Sequence, residues 1–240
     1  MRARAMIMAM ITTTMLTEPA LHLLLAWVSP SLPIGGYTYS HGLETAVGTG
    51  AVRRWGELVD YVGAVIGRGG GWVDAVLIAQ AMRAAHDAAA LDAIADLATA
   101  FRSSSETALE SRQQGAAFLS VVRKAWPHPA LEDFAVRRGE ALIAHAASFA
   151  LACAAHGVGE VAAIHGFLHA TAANLVSAGV RLVPLGQTDG QRAMAALSQR
   201  IAPIVERARA CPLDNLGTAA PVLELASFHH ETLYTRLFRS

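Results

Sequence analysis

An all-α fold, a single domain of about ten helices in an irregular bundle, follows from three observations. Apolar residues recur at alternating steps of three and four along most of the chain, the spacing of one buried helix face. No run of alternating apolar and polar residues suggests a strand, and no repeat of fixed period is present. Glycine and proline clusters punctuate the sequence at helix-length intervals. At 240 residues the chain is near the upper end for one core.

The elements can be justified in order. Thr17-Glu18-Pro19 reads as a helix start, with Leu21, Leu24, Leu25 and Val28 as the apolar face. The helix must stop near Trp27, because Ser29-Pro30-Ser31-Leu32-Pro33 follows and proline lacks the N–H a helix needs. After the irregular stretch through Gly35-Gly36, Ser40 is expected to cap a short helix through Thr45 that ends around Gly48 to Gly50. A helix over 54–68 carries Leu58, Tyr61, Val62, Val65 and Ile66, and Gly69-Gly70-Gly71 breaks it. The next helix, 72–86, turns Val76, Leu77, Ala79 and Met82 inward. A third, 87–101, has Leu91, Ile94, Leu97 and Phe101 at helical spacing. Ser103 and Glu106 form a capping box for a helix running to Trp126. Pro127-His128-Pro129 is the clearest mid-chain break. A helix or helix pair then spans 131–156, and its small residues from Ala141 to Ala155 suit tight burial.

The strongest patterns flank the stretch from Pro184 to Arg192. Val161, Ile164, Leu168, Thr171, Leu175, Ala178 and Leu182 form one stripe before it; Met194, Leu197, Ile201, Ile204 and Ala208 form another after it. Pro184 ends the first helix, and Thr188 with Gln191 reads as a capping box opening the second. After Cys211-Pro212 the chain turns at Asp214-Asn215-Leu216-Gly217, and Pro221 opens a short helix as far as His229.

Composition bounds the function. A formal net charge of zero and a pI near 7.2 give no reason to expect nucleic acid or an anionic membrane as partner. Apolar residues make up 53% and charged residues 16%, too little charge to cover a monomer's surface comfortably, which favours a homodimer or a stable partner. Cys153 and Cys211 form no C-x-x-C pair, so a reduced, cytoplasmic setting is expected. No uninterrupted apolar run reaches the roughly 18 residues of a membrane span. Residues 1–16 loosely imitate a signal peptide, with Arg2 and Arg4 before Met-rich sequence, but Thr12-Thr13-Thr14 interrupts it; a disordered extension is expected.

No constellation for catalysis or a cofactor stands out. The phosphate-binding Gly-Lys-Ser/Thr is absent, since the only lysine, Lys124, lies between Arg123 and Ala125. His165 and His169 share a helix face, yet Gly166 occupies the place of the metalloprotease glutamate. His229, His230 and Glu231 are adjacent and so point about 100° apart on a helix. Ser40 and His41 lack a nucleophile elbow. The last residues are different in kind. Leu233, Tyr234, Leu237 and Phe238 interleave with Arg236 and Arg239, the residue types of binding hot spots, and docking of this tail on another protein is expected.

Three stretches together resemble the urease accessory protein F (UreF) family. The first runs from Trp27 to Glu44 and contains Ser29-Pro30, Pro33-Ile34-Gly35 and Ser40-His41-Gly42-Leu43-Glu44. The second is Leu185-Gly186-Gln187-Thr188-Asp189-Gly190-Gln191-Arg192. The third runs from Ala226 to Ser240, with Ser227, His230-Glu231-Thr232 and Arg236-Leu237-Phe238-Arg239-Ser240. The resemblance extends from about Leu21 onward, and 87–126 share only general character. It implies an all-α, dimeric, non-catalytic accessory protein that bridges the UreD/UreH scaffold and the UreG GTPase and gates GTP-dependent nickel delivery to apo-urease. Partner binding then falls on Ser40, His41, Glu44, Gln187, Asp189, Arg192, His230, Glu231, Tyr234, Arg236, Leu237, Phe238, Arg239 and Ser240. The alternative is a nickel-binding or nickel-conduit protein using His229, His230, Glu231 or the His165/His169 pair in the assembled complex. For Asp189 two placements stay open: an interface, or the first helical turn with Arg192 tying it to the 40–44 segment.

Overall fold

A computed structural model describes residues 16–139 and 143–240. The expected extension over 1–16 falls outside these residues except for Leu16. The helices are α1 (Glu18–Trp27), α2 (Leu43–Gly48), α3 (Trp55–Arg68), α4 (Gly70–Arg83), α5 (Ala88–Ala100), α6 (Ser105–Ala125), α7 (Pro129–Arg138), α8 (His145–Ala155), α9 (Glu160–Leu182), α10 (Gln187–Ala210) and α11 (Pro221–His230). Short 3-10 turns sit at Gly36–Thr38 and Leu213–Asn215, and no strand occurs among the described residues. The all-α expectation holds.

The core is built around α8. Its residues from Ala146 to Cys153 are all buried, so it is apolar on every side rather than on one stripe. Helices α4 and α6 clasp it, and α5 and α7 pack more lightly against it. Gly115 on α6 makes this approach possible: a Cβ there would stand 2.1 Å from the Ile143 carbonyl oxygen. The α9/α10 hairpin closes the other side against α3 and α4. At its crossing with α3, Gly179 leaves room for the Leu58 side chain, 2.5 Å from where a Cβ would lie. Glu160 at the start of α9 ties three helices together by accepting from Arg83 of α4 and Arg209 of α10, each at 2.8 Å.

Two described segments, 55–83 and Glu160–Leu182, have mean hydropathies of 1.3 and 1.2, enough by length and composition to cross a membrane. The first is interrupted at Gly69 and 67% of its most apolar window is buried inside the fold, the signature of core helices. Cys153 is buried in α8 and Cys211 lies beyond α10, both unbridged.

Several helix ends differ from expectation. Helix α6 is capped by Ser104, not Ser103, and Thr107 closes the capping box; Glu106 is thereby released for another task. Helix α10 starts at Gln187 with extended Gly186 as its N-cap, so Thr188 and Gln191 do not form the expected box. Leu185 packs against the core and sets the turn's register, while Asp189 in the first turn meets the helix's positive end. Helix α2 starts after Gly42, and Ser40 Oγ accepts only a long 3.4 Å bond from the Glu44 N–H. A single residue, Gly69, separates α3 from α4. The 131–156 stretch is a helix pair. Helix α10 also runs through Pro203, which faces solvent. Thr17 and Asp87 cap α1 and α5 by accepting from the N–H groups of Ala20 and Ala90.

Candidate functional site

Three segments far apart in sequence meet at one end of the bundle: the turn before α2, the first turns of α6, and the chain from Ser227 to Ser240. The local backbone makes the meeting possible. His41 and Gly42 both adopt left-handed conformations, with φ of 52° and 74°. This sharp turn sends α2 against α11, so close that a Cβ on Gly42 would lie 2.7 Å from the Ser227 nitrogen. Glu44, in the first turn of α2, then faces the last residues. Its Oε1 accepts the Leu237 N–H at 2.8 Å, and its Oε2 accepts the Phe238 N–H at 3.0 Å. The same Oε2 lies 3.1 Å from Nε2 of His230, which has no solvent exposure. The other ring nitrogen of His230 is 2.7 Å from Glu106 Oε2, and Glu106 Oε1 pairs with Arg236.

A second layer lies behind the first. Glu110, one turn beyond Glu106, accepts from Gln114 at 2.9 Å and Ser240 Oγ at 3.0 Å, and meets His41 Nε2 at 3.0 Å. The backbone of the tail is satisfied by the 38–40 segment: Arg239 N–H donates to the Thr38 carbonyl at 2.8 Å and Ser40 N–H to Ser240 O at 2.7 Å. Ser40 Oγ also donates to Ser240 O. Glu231 accepts from the N–H and Oγ of Ser105 at the start of α6. Phe238, only 5% exposed, lies 4.6 Å beneath the Arg181 guanidinium, which also donates to the Tyr37 carbonyl. Residues 231–240 contain no helix, yet the N–H groups of Leu237, Phe238 and Arg239 all find acceptors in the 38–44 segment.

The electrostatics follow from these contacts. Burial alone would lower the pKa of His41, but the charge and hydrogen bond of Glu110 outweigh it and raise the ring above its ordinary value. Burial, reinforced by Glu110, raises Tyr39, whose hydroxyl donates to Gln113. The Ser105 hydrogen bond holds Glu231 below the usual carboxylate range.

The expected site residues therefore divide. Ser40, His41, Glu44, His230, Glu231, Arg236, Phe238, Arg239 and Ser240 come together, but mainly as a scaffold that pins the tail to its own domain. Tyr234 and Leu237 point outward, 104% and 76% exposed. Helix α11 presents Val222, Leu225 and Phe228 on one exposed stripe. Gln187, Asp189 and Arg192 sit at the start of α10. Arg192 pairs with Asp189 one turn away at 3.1 Å, so it does not tie the turn to the 40–44 segment as one reading had it. Gly190 between them lets α10 approach Val180 to 3.0 Å of a would-be Cβ.

Sequence reasoning missed Glu106, Glu110 and Gln114 as members of the cluster. A signal was present: polar residues at steps of four on α6, a stripe where an amphipathic helix would carry apolar ones. His229 is exposed while His230 is buried, so the two do not converge. No group of three or more histidine, cysteine or carboxylate side chains suited to a metal ion occurs among the described residues. His165 and His169 lie exposed on α9.

A family model described as UreF matches residues 52–198. The chain is 49% identical over 225 residues to the urease accessory protein UreF of Granulibacter bethesdensis, an alignment covering 93% of this chain and 95% of that one. It is 47% identical over 223 residues to the protein of the same name from Rhodopseudomonas palustris strain TIE-1, covering 92% of each. The corresponding protein of Bradyrhizobium sp. strain BTAi1 is 43% identical over 229 residues, covering 95% of each.

Proposed function

Because this chain belongs to the UreF family of urease accessory proteins, we propose that it is a non-catalytic adaptor of urease maturation. It bridges the UreD/UreH scaffold and the UreG GTPase as a cytoplasmic homodimer and gates GTP-dependent nickel delivery to apo-urease. One observation carries the reading. The tail is pinned from inside by Glu44, Glu106 and Glu110, while Tyr234 and Leu237 are left facing solvent. Large apolar side chains on a pre-ordered backbone lose little freedom on docking, which is what a binding hot spot requires. Val222, Leu225 and Phe228 of α11 are further exposed apolar side chains.

The test is capture of this protein by the purified UreD/UreH scaffold. Tyr234→Ala combined with Leu237→Ala should weaken capture at least about tenfold, since a hot-spot side chain contributes about 2 kcal/mol. Val136→Ala, at an exposed position on α7, serves as control and should leave capture unchanged. Equal capture of the double variant and the parent would remove the tail from the interface. The nickel-site alternative draws less support, because both ring nitrogens of His230 already face carboxylates.

A further inference from the structure

The three carboxylates of α2 and α6 that pin the tail each face a histidine. His230 has no solvent exposure, and a carboxylate oxygen stands at each of its ring nitrogens: Glu44 Oε2 is 3.1 Å from Nε2 and Glu106 Oε2 is 2.7 Å from Nδ1. A neutral imidazole carries one N–H and one lone pair. It donates to one of these acceptors and turns its bare nitrogen to the other, with no proton between them. The doubly protonated ring donates to both. His41 repeats the arrangement one layer back. Its Nε2 is 3.0 Å from Glu110 Oε1, and the other oxygen of Glu110 accepts from Ser240 Oγ at 3.0 Å.

The charges of this cluster balance only when both rings carry their extra protons. Glu44, Glu106 and Glu110 then meet His230, His41 and Arg236, whose guanidinium pairs with Glu106 Oε1. Without those two protons the cluster holds two negative charges in excess, on carboxylates no more than 12% exposed. The other charges nearby are engaged elsewhere. Asp74 of α4 pairs with Arg102 at 2.6 Å. Glu231 accepts from Ser105, Arg239 reaches the Tyr39 hydroxyl, and Arg181 covers the Phe238 ring. Tyr61 of α3 donates to the His41 carbonyl at 2.8 Å, and burial keeps its phenol protonated. Burial disfavours the charged form of His41, yet Glu110 holds the ring above its ordinary pKa. A group raised in this way stabilises the fold while protonated, and that contribution is lost as pH rises through its folded value. The tail is the part that gives way, because 231–240 contain no helix whereas α2 and α6 keep their own hydrogen-bond ladders.

We propose that the tail is a proton-gated strap: His41 and His230 hold it down while charged, and loss of their protons as pH rises releases 232–240 from Glu44, Glu106 and Glu110. On the adaptor reading, the pre-ordered docking surface of Tyr234 and Leu237 is then the low-pH form of the protein.

The test is hydrogen-exchange mass spectrometry of the full chain from about pH 6 to about pH 9, the range that brackets histidine titration, with rates corrected for their intrinsic pH dependence. Peptides over 232–240 should lose at least about tenfold in protection across the range, while α4 and α8 keep theirs. In protein labelled with carbon-13 at histidine, the ring Cε1 signal of His230 should pass from its charged to its neutral position over the same interval. The double variant His41→Gln, His230→Gln carries no titrating ring in the cluster, so its tail protection should no longer follow pH. Should that variant fold poorly by circular dichroism, the two titrations of the parent decide by themselves. Tail protection that stays constant with pH, a neutral His230 ring in a tail that remains protected, or a pH response that persists in the folded double variant would overturn the proposal. Scaffold capture is a separate readout, so failure here leaves the adaptor reading where it stands.

Discussion

Replacing Glu44 by alanine should release the tail. The carboxylate accepts two backbone N–H groups, from Leu237 and Phe238, and meets His230 Nε2. Hydrogen bonds to a charged group contribute about 1.5–3 kcal/mol each. Leu237 is exposed, and its N–H can turn to water, so it contributes little to the loss. The Phe238 N–H and the Nε2 of His230 are buried and lose this partner, although His230 keeps Glu106 at its other ring nitrogen. Two effective bonds give a cost on the order of 3–6 kcal/mol, with undocking of 237–240 as the cheapest escape. Hydrogen-exchange mass spectrometry is the assay. In Glu44→Ala the amides of Leu237 to Ser240 should lose protection, while α4 and α8 exchange as in the parent. Glu44→Gln keeps one acceptor oxygen and should retain part of the protection. Unchanged protection of the tail in Glu44→Ala would refute the idea that this carboxylate holds it.

Other outcomes follow from the same physics. His145 has a folded-state pKa of about 4 against an ordinary value near 6.5; the unfolded chain therefore binds its proton first, and stability is full above 6.5 and lost as pH falls towards 4. The loss comes to about 3 kcal/mol, and His145→Phe should reduce the difference in urea-unfolding free energy between pH 7 and pH 4.5. Gly115→Ala should cost about 3 kcal/mol or more, because its methyl would collide with the Ile143 carbonyl, a backbone atom; Gly56→Ala on α3, where a Cβ meets nothing within 4 Å, should raise stability by about 0.5–1 kcal/mol. Asp189→Ala breaks only a surface pair and a helix-end charge, so it should shift the melting free energy by less than about 1 kcal/mol. A fall in partner capture with stability unmoved would place the start of α10 at an interface, and unchanged capture would leave it as helix-turn structure.

The helices were legible because their evidence is local. Stripes at steps of three and four, the proline breaks, and the caps at Thr17 and Asp87 depend only on neighbours in the chain. The wrongly placed ends share a cause. At Ser103/Ser104 two hydroxyls competed for one cap, and the choice went with contacts to α11: Ser104 bonds Ser227 at 2.8 Å, which leaves Glu106 facing His230. At Thr188 the helix has already begun at Gln187, after a Leu185 that packs partly buried against the core. For the site, the sequence singled out 40–44 and 226–240 but not their link. That link is a set of carboxylates on α6 whose partners lie more than a hundred residues away, at His230, Arg236 and Ser240.

By itself, then, the sequence determined the all-α class, most helix positions, the buried character of α8 and, through its motifs, the family. Only the tertiary structure decided which way each terminal side chain faces. Spacing in a segment without periodicity carries no direction, so the tail's orientation depends on what it meets. Glu44 of α2 binds its backbone and Glu106 and Glu110 of α6 bind its side chains, which draws His230, Phe238 and Ser240 inward and leaves Tyr234 and Leu237 outside.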